Sequence, residues 1–347
     1  MKRLKAAIKG INSHLPSQKL TNEELAREFQ EWDVAKIFQK TGISVRGISA
    51  PGECASDLGV AAAQKLFDTG LCAPEEIDFL LFCTQSPDYF LPTTACLLQE
   101  RLKLRTSCGA LDFNLGCSGF IYGLSLAKGL IETGKLKNVL LITSDTYTKF
   151  INPKDRTVRT IFGDGAAATL ISAVDSDEEI IGPFVYGTDG RGADKLIVPA
   201  GGLRLPVSQE TSVEKNDGAG NFRSAENLYM DGPEIFNFTL KQVPTVVNAL
   251  LDSASVTMEE IDYFIFHQAN SFMLESLRKK MKIPKEKFCL NLEYYGNTVS
   301  ATIPMAMELV SKTGILKPGD RLMLVGFGVG YSWGATLIKN FLSGFDS

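Results

Sequence analysis

Apolar residues gather along this chain in two kinds of run. IDFLLF (77–82), NVLLITSD (138–145), IDYFIF (261–266) and RLMLVGFG (321–328) are close to continuously apolar, as expected of strands covered on both faces. Between them apolar residues recur at helical spacing, as in GVAAAQKLFDTG (59–70), SGFIYGLSLAKGLIETG (118–134) and VVNALLDSASV (246–256). In the second of these, Phe120, Leu124, Ala127 and Ile131 share one face and Gly134 supplies a stop. Strands alternating with helices predict a layered α/β body.

The pattern also repeats. PEEIDFLLFCTQS (74–86) and MEEIDYFIFHQAN (258–270) align at an offset of 184, each after a helical run. GDGAAATLI (163–171) echoes GYSWGATLI (330–338). Short echoes also arise between unrelated strand–helix units, but a common order of elements predicts an internal duplication, with an N-terminal half over 1–185 and a C-terminal half over 186–347. Residues 188–228 are rich in glycine and polar side chains without sustained periodicity, which predicts an excursion or lid.

Composition narrows the class. With 347 residues, 44% of them hydrophobic, the chain can bury a large core. Its 36 basic and 40 acidic side chains leave a formal charge of -4, without the basic bias that nucleic-acid binding needs. No apolar stretch is long enough to cross a membrane, and Lys9 and Gly10 interrupt the N-terminal run before signal-peptide length, so the expected location is the cytoplasm. Seven scattered cysteines without a CxxC pair predict reduced thiols, and two histidines without zinc-like spacing predict no metal site.

Three residues stand where chemistry can occur. Cys117, in LDFNLGCSGF, lies between a strand run and the helix beginning near Ser118. A helix N-terminus favours thiolate over thiol, which predicts a lowered pKa, although a cysteine in this setting can equally be a packing residue. His267 closes the strand IDYFIF and opens the polar turn HQAN, as an acid, base or donor or simply a satisfied polar group. Asn297, in EYYGNTVSATIP, marks a turn and fits an Asx turn or helix cap as well as a catalytic amide. None of the three decides the matter alone.

Taken together with KTGISVRGISAPGE, ACLLQ, NLGCSGF, RTIFGDGAAATL, MDGPEIF, FHQAN, YGNTVSATIP and LKPGDRLMLVGFGVGYSWGA, in that order along nearly the whole chain, they resemble the type III β-ketoacyl-acyl carrier protein synthases of the thiolase-like superfamily. The resemblance implies a duplicated α/β fold of five αβαβα layers, with a five-stranded sheet in each half, and a homodimer. It implies that Cys117, His267 and Asn297 meet at the bottom of a tunnel. Cys117 would then take an acyl group from acyl-CoA in a ping-pong reaction, and malonyl-acyl carrier protein would lose CO2 and condense with it, initiating fatty acid synthesis without metal or organic cofactor. The amides of Cys117 and Val329 match the family's oxyanion pair, with valine where glycine is usual. Arg156 matches a CoA-binding arginine and Lys40 stands at the position of another. The adenine-stacking tryptophan falls at Lys36 in ungapped register, or at Trp32 with a short insertion. Leu91 corresponds to a residue lining the acyl pocket from the partner subunit. Lys279 and Lys280 match carrier-protein docking lysines, whereas Phe272 replaces an arginine.

Two rival functions keep the same outline. A condensing enzyme or acyltransferase of secondary metabolism would retain Cys, His and Asn and differ in its acceptor. A non-catalytic acyl-binding or scaffold subunit would be expected to lose the nucleophile, which this chain keeps. A hydrolase based on Ser118 is disfavoured because GCSGF is not the GxSxG elbow.

Overall fold

The computed structural model describes residues 3–29 and 33–341. The first of two large sheets has five strands, in the order Arg3–His14, Gly165–Ser176, Asn138–Asp145, Phe79–Cys83 and Gly109–Phe113. The second has four among the described residues: Ile181–Thr188, Ser332–Lys339, Arg321–Gly328 and Tyr263–Phe266. In each, the first two junctions are antiparallel and the next is parallel. The chain passes between the sheets after Ser176, and the division at 185/186 read from the sequence falls inside the strand Ile181–Thr188.

Why the strand runs are continuously apolar is now plain. Along Asn138–Asp145, Leu140 and Ile142 pack on the outer helices Ala55–Asp68 and Thr94–Arg101, while Val139 and Leu141 face inward. Along Tyr263–Phe266, Phe264 and Phe266 face the outer helices Gly232–Ala254 and Ser271–Lys280, while Tyr263 and Ile265 face inward. Between the sheets lie Gly119–Glu132 and Thr302–Lys312, whose Phe120, Leu124, Ile303 and Met307 join both inner faces in one core. The result is five layers, αβαβα.

One expectation is corrected. Among the described residues the second half has no fifth strand: the segment after Lys287 keeps a single parallel bridge, Phe264 to Phe288. There the Gln268 side chain takes up the backbone, accepting from the Asn291 N–H at 2.8 Å and donating to Cys289 O at 3.4 Å. A strand ladder has fewer free groups left to pair.

The polar stretch 188–228 is folded against the body. It contains the two-residue pairs Leu196–Ile197 with Tyr229–Met230 and Lys215–Asn216 with Phe222–Arg223. Arg223 pins it to the body through Asp155 and braces it internally through Asp217, both at 2.8 Å.

Candidate active site

Cys117 sits in the turn ahead of Gly119–Glu132 and is buried. The strand Arg321–Gly328 ends against it: a Cβ on Gly328 would stand 2.9 Å from the Cys117 sulfur, so only glycine leaves that sulfur its place. The amides of Cys117 and Val329 both point at the sulfur. The Val329 side chain finds its space over Gly116, where a Cβ would meet Val329 Cγ1 at 2.6 Å. The expectation of a lowered Cys117 pKa is overturned. Burial, with the nearby Asp145 carboxyl, pushes it up to about 12 against the pull of the two amides, so the resting group is the thiol.

His267 follows Phe266 at the strand end, with its N–H donating to Val325 O at 2.8 Å. The ring is buried, its Nδ1 2.7 Å from Thr302 Oγ1 and its plane edge-on to Phe327 at 5.5 Å. Burial lowers its pKa to about 3, which keeps the imidazole neutral at physiological pH. Asn297 crosses to the first half, its N–H donating to Ile161 O at 2.9 Å and its carbonyl accepting from Gly163 N–H at 3.0 Å. Its Oδ1 accepts from Val299 N–H at 2.9 Å, which leaves the side-chain NH2 as the outward donor. Val299 has φ of 56°, a conformation β-branched residues avoid, so backbone strain of about 1–3 kcal/mol is held at this turn.

The side chains of Cys117, His267 and Asn297 line one cavity of about 310 Å³, otherwise walled mainly by apolar groups such as Phe162, Leu196, Ile235 and Phe327. Lys40 and Phe272 also line it, and Phe272 stacks on Phe236 at 5.3 Å. An outer cleft of about 730 Å³ shares Lys40, Met230 and Asn270 with this cavity. Arg156 belongs to the short helix Arg156–Arg159 that supplies Thr157 to the cleft, and its guanidinium lies over the Phe29 ring at 5.6 Å. Lys36 is exposed, with its ammonium 3.3 Å from Asp33. Trp32 lies outside the described residues. Leu91 is on an exposed loop, 82% accessible. Lys279 and Lys280 are exposed at the end of Ser271–Lys280, where Lys280 Nζ donates to Leu240 O at 2.8 Å.

Asp145 escapes the sequence reading. Fully buried at the end of Asn138–Asp145, it accepts from Gln85 N–H at 2.8 Å and from Ser300 Oγ at 2.5 Å. Burial raises its pKa to about 7. The signal available was an acidic residue closing an apolar strand run. Thr302, which touches His267, gave no signal, since Thr is common at helix starts. Among the described residues no group of three or more His, Cys, Asp or Glu is placed to hold a metal ion, and no helix is long and apolar enough to cross a membrane.

Residues 111–190 match the family profile "3-Oxoacyl-[acyl-carrier-protein (ACP)] synthase III" and 251–340 match its C-terminal counterpart. A β-ketoacyl-[acyl-carrier-protein] synthase III of Caldanaerobacter subterraneus is 38% identical over 97% of this chain and 98% of its own. A crystal structure of a 3-oxoacyl-(acyl-carrier-protein) synthase III superposes with a TM-score of 0.96 at 54% identity, covering 97% of this chain and all of the other. That of the 3-oxoacyl-(acyl-carrier protein) synthase from Burkholderia xenovorans gives 0.88 at 38%, covering 99% and 95%. With the duplicated five-layer fold and near-complete coverage in both directions, the chain belongs to the β-ketoacyl-acyl carrier protein synthase III family.

Proposed function

We propose that this protein is an acyltransferase that condenses an acyl-CoA primer with malonyl-acyl carrier protein, the step that initiates fatty acid synthesis, with Cys117, His267 and Asn297 as its catalytic residues. The observation that carries this reading is the convergence of the three side chains, drawn from both halves, on one apolar cavity. In the first step Cys117 sulfur attacks the acyl-CoA carbonyl. The carbon–sulfur bond to CoA breaks, the acyl group stays on Cys117, and the proton that leaves Cys117 is balanced by the one that CoA gains as a free thiol. Oxygen charge in that step falls beside the Cys117 and Val329 amides. In the second step malonyl-carrier protein loses CO2. The enolate oxygen is met by His267 and the Asn297 NH2, the enolate carbon attacks the acyl-cysteine carbonyl, the acyl–sulfur bond breaks to release β-ketoacyl-carrier protein, and the Cys117 sulfur takes up one proton from solvent to return to the thiol. The bond changes are thioester exchange, decarboxylation and carbon–carbon bond formation by the enolate, none of which changes the net redox level or calls for an electron carrier.

The finer assignments follow the same tunnel. Lys40 and Arg156 hold the CoA nucleotide in the outer cleft, with Trp32 as a further stacking candidate. Lys279 and Lys280 dock the acidic carrier protein, while Phe272, in place of a basic residue, moves that attraction away from the mouth. A cavity of about 300 Å³ bordered by Gln85, Asn114, Tyr147 and Val329 shares Leu196 with the tunnel and suits the acyl chain. Tyr89, Phe90 and Leu91 are 61%, 81% and 82% exposed in succession, an apolar stretch that a partner subunit of a homodimer would cover, with Leu91 at the partner's acyl pocket. The two halves, which meet between Ser176 and Ile181, are duplicates. Seven unpaired cysteines suit the reducing cytoplasm. The test is release of CO2 and β-ketoacyl product from malonyl-carrier protein with acyl-CoA donors from acetyl to long chain. Product with at least one donor supports the reading, and none with any donor rejects it.

A further inference from the structure

We propose that Thr302 is a positioning residue that fixes the tautomer of His267, placing the single ring proton on Nε2 so that the imidazole enters the tunnel as a hydrogen-bond donor. This rests on the assignment of His267 to the enolate oxygen, since only an Nε2–H can serve that charge.

The geometry contains one hydroxyl proton and two acceptors for it. Thr302 Oγ1 is 2.7 Å from His267 Nδ1 and 3.1 Å from Val299 O. Were the proton on Val299 O, Nδ1 would have to carry the ring proton and Nε2 would be a bare acceptor facing the enolate. The distances favour the other arrangement: the hydroxyl is 0.4 Å closer to the ring nitrogen, at 2.7 Å, than to the carbonyl, at 3.1 Å, and the shorter contact takes the larger share of the proton. A hydroxyl that donates to Nδ1 requires that nitrogen to be unprotonated, and a neutral ring then carries its proton on Nε2. The ring is neutral because burial holds its pKa to about 3. It cannot easily turn to exchange its nitrogens, with Phe327 edge-on at 5.5 Å and Thr302 itself buried. Thr302 does not line the cavity, whereas His267 does, so the edge away from Thr302 is the one presented to substrate.

The duplication gives a control within the molecule. The residue matching Thr302 in the first half is Gly119, and the residue matching His267 is Cys83, with a sulfur that a Cβ on Gly119 would strike. That position carries a hydroxyl in the half with an imidazole to orient, and no side chain in the other.

Only two histidines occur in the chain, so the imidazole nitrogens of the full-length protein labelled with 15N-histidine can be assigned by removing the other one with His14→Gln. The expected spectrum shows His267 protonated on Nε2, with Nδ1 as a hydrogen-bond acceptor. Thr302→Val should let the Nδ1–H form appear and slow condensation roughly 10- to 100-fold, the scale of losing an outer partner of a working imidazole. Thr302→Ser should restore both, and acylation of Cys117 should stay near wild type in both Thr302 variants. An Nδ1–H tautomer in the unmodified protein, or a Thr302→Val enzyme with unchanged tautomer and unchanged condensation, overturns the proposal. His267→Ala separates the two readings: unimpaired condensation in that variant would remove the enolate role itself, whereas an inactive His267→Ala beside an Nδ1–H spectrum would remove only the role of Thr302.

Discussion

At the end of the strand Asn138–Asp145 in the first half stands an aspartate, and at the matching end of Arg321–Gly328 in the second stands a glycine. The strands correspond at an offset of 183, and each ends against the start of the other half's inner helix. Asp145 fills its space with a carboxylate on Ser300; Gly328 leaves its space to the Cys117 sulfur. Ser300 is itself the counterpart of Cys117, Asn114 of Asn297, and Cys83 of His267. One duplicated junction is thus closed by a buried carboxylate and its hydroxyl partner, while the other is hollow and lined by a thiol, an imidazole and an amide. The proposed catalytic constellation thus depends on a missing side chain as much as on three present ones.

Giving the hollow junction a side chain should break this asymmetry most completely. Gly328→Ala places a methyl group against the sulfur, and acylation by acyl-CoA should fall at least about 1000-fold, to a level near that of Cys117→Ala, with the circular dichroism of a folded chain retained. Removing the second-half donors acts later. His267→Ala and Asn297→Ala should each acylate normally and condense about 100- to 1000-fold more slowly, which burst acylation and steady-state condensation measured side by side will separate. Neutralising the closed junction is subtler. The Asp145 charge raises the Cys117 pKa, so Asp145→Asn lowers it, and the pH profile of acylation should move toward lower pH. A profile unmoved or moved upward would show that the carboxylate does not act on the thiol. The smallest effect belongs to the surface: Lys279→Glu with Lys280→Glu should raise the KM for malonyl-carrier protein about 10-fold at low salt and less at high salt, leaving acylation by acyl-CoA unchanged.

Much of this architecture was legible because strands covered on both faces write themselves as unbroken apolar runs, and the inner helices show a stripe such as Phe120, Leu124, Ala127 and Ile131. Arg3–His14 was not legible as a strand. It carries Lys5, Lys9 and Gly10 among its apolar residues, and its identity comes from a ladder with Gly165–Ser176 more than 150 positions away. The missing fifth strand of the second sheet had no local sign either, since it depends on where the Gln268 side chain reaches. At the site, the residue types and their strand-end positions marked Cys117, His267 and Asn297. The ionisation of Cys117 was misread because a helix N-terminus is visible in the sequence, whereas complete burial beside Asp145 is a property of the packed interior. Thr302 became meaningful only when its hydroxyl was seen against Nδ1.

The most direct test of the central claim, that Cys117 is the acyl carrier of a ping-pong condensation, is peptide mass mapping after incubation with mass-tagged acyl-CoA. One acyl group is expected on Cys117 and none on Cys83, Cys108 or Cys289, and it should be lost when malonyl-carrier protein is added. An adduct on another residue, or no adduct with any donor from acetyl to long chain, would contradict it.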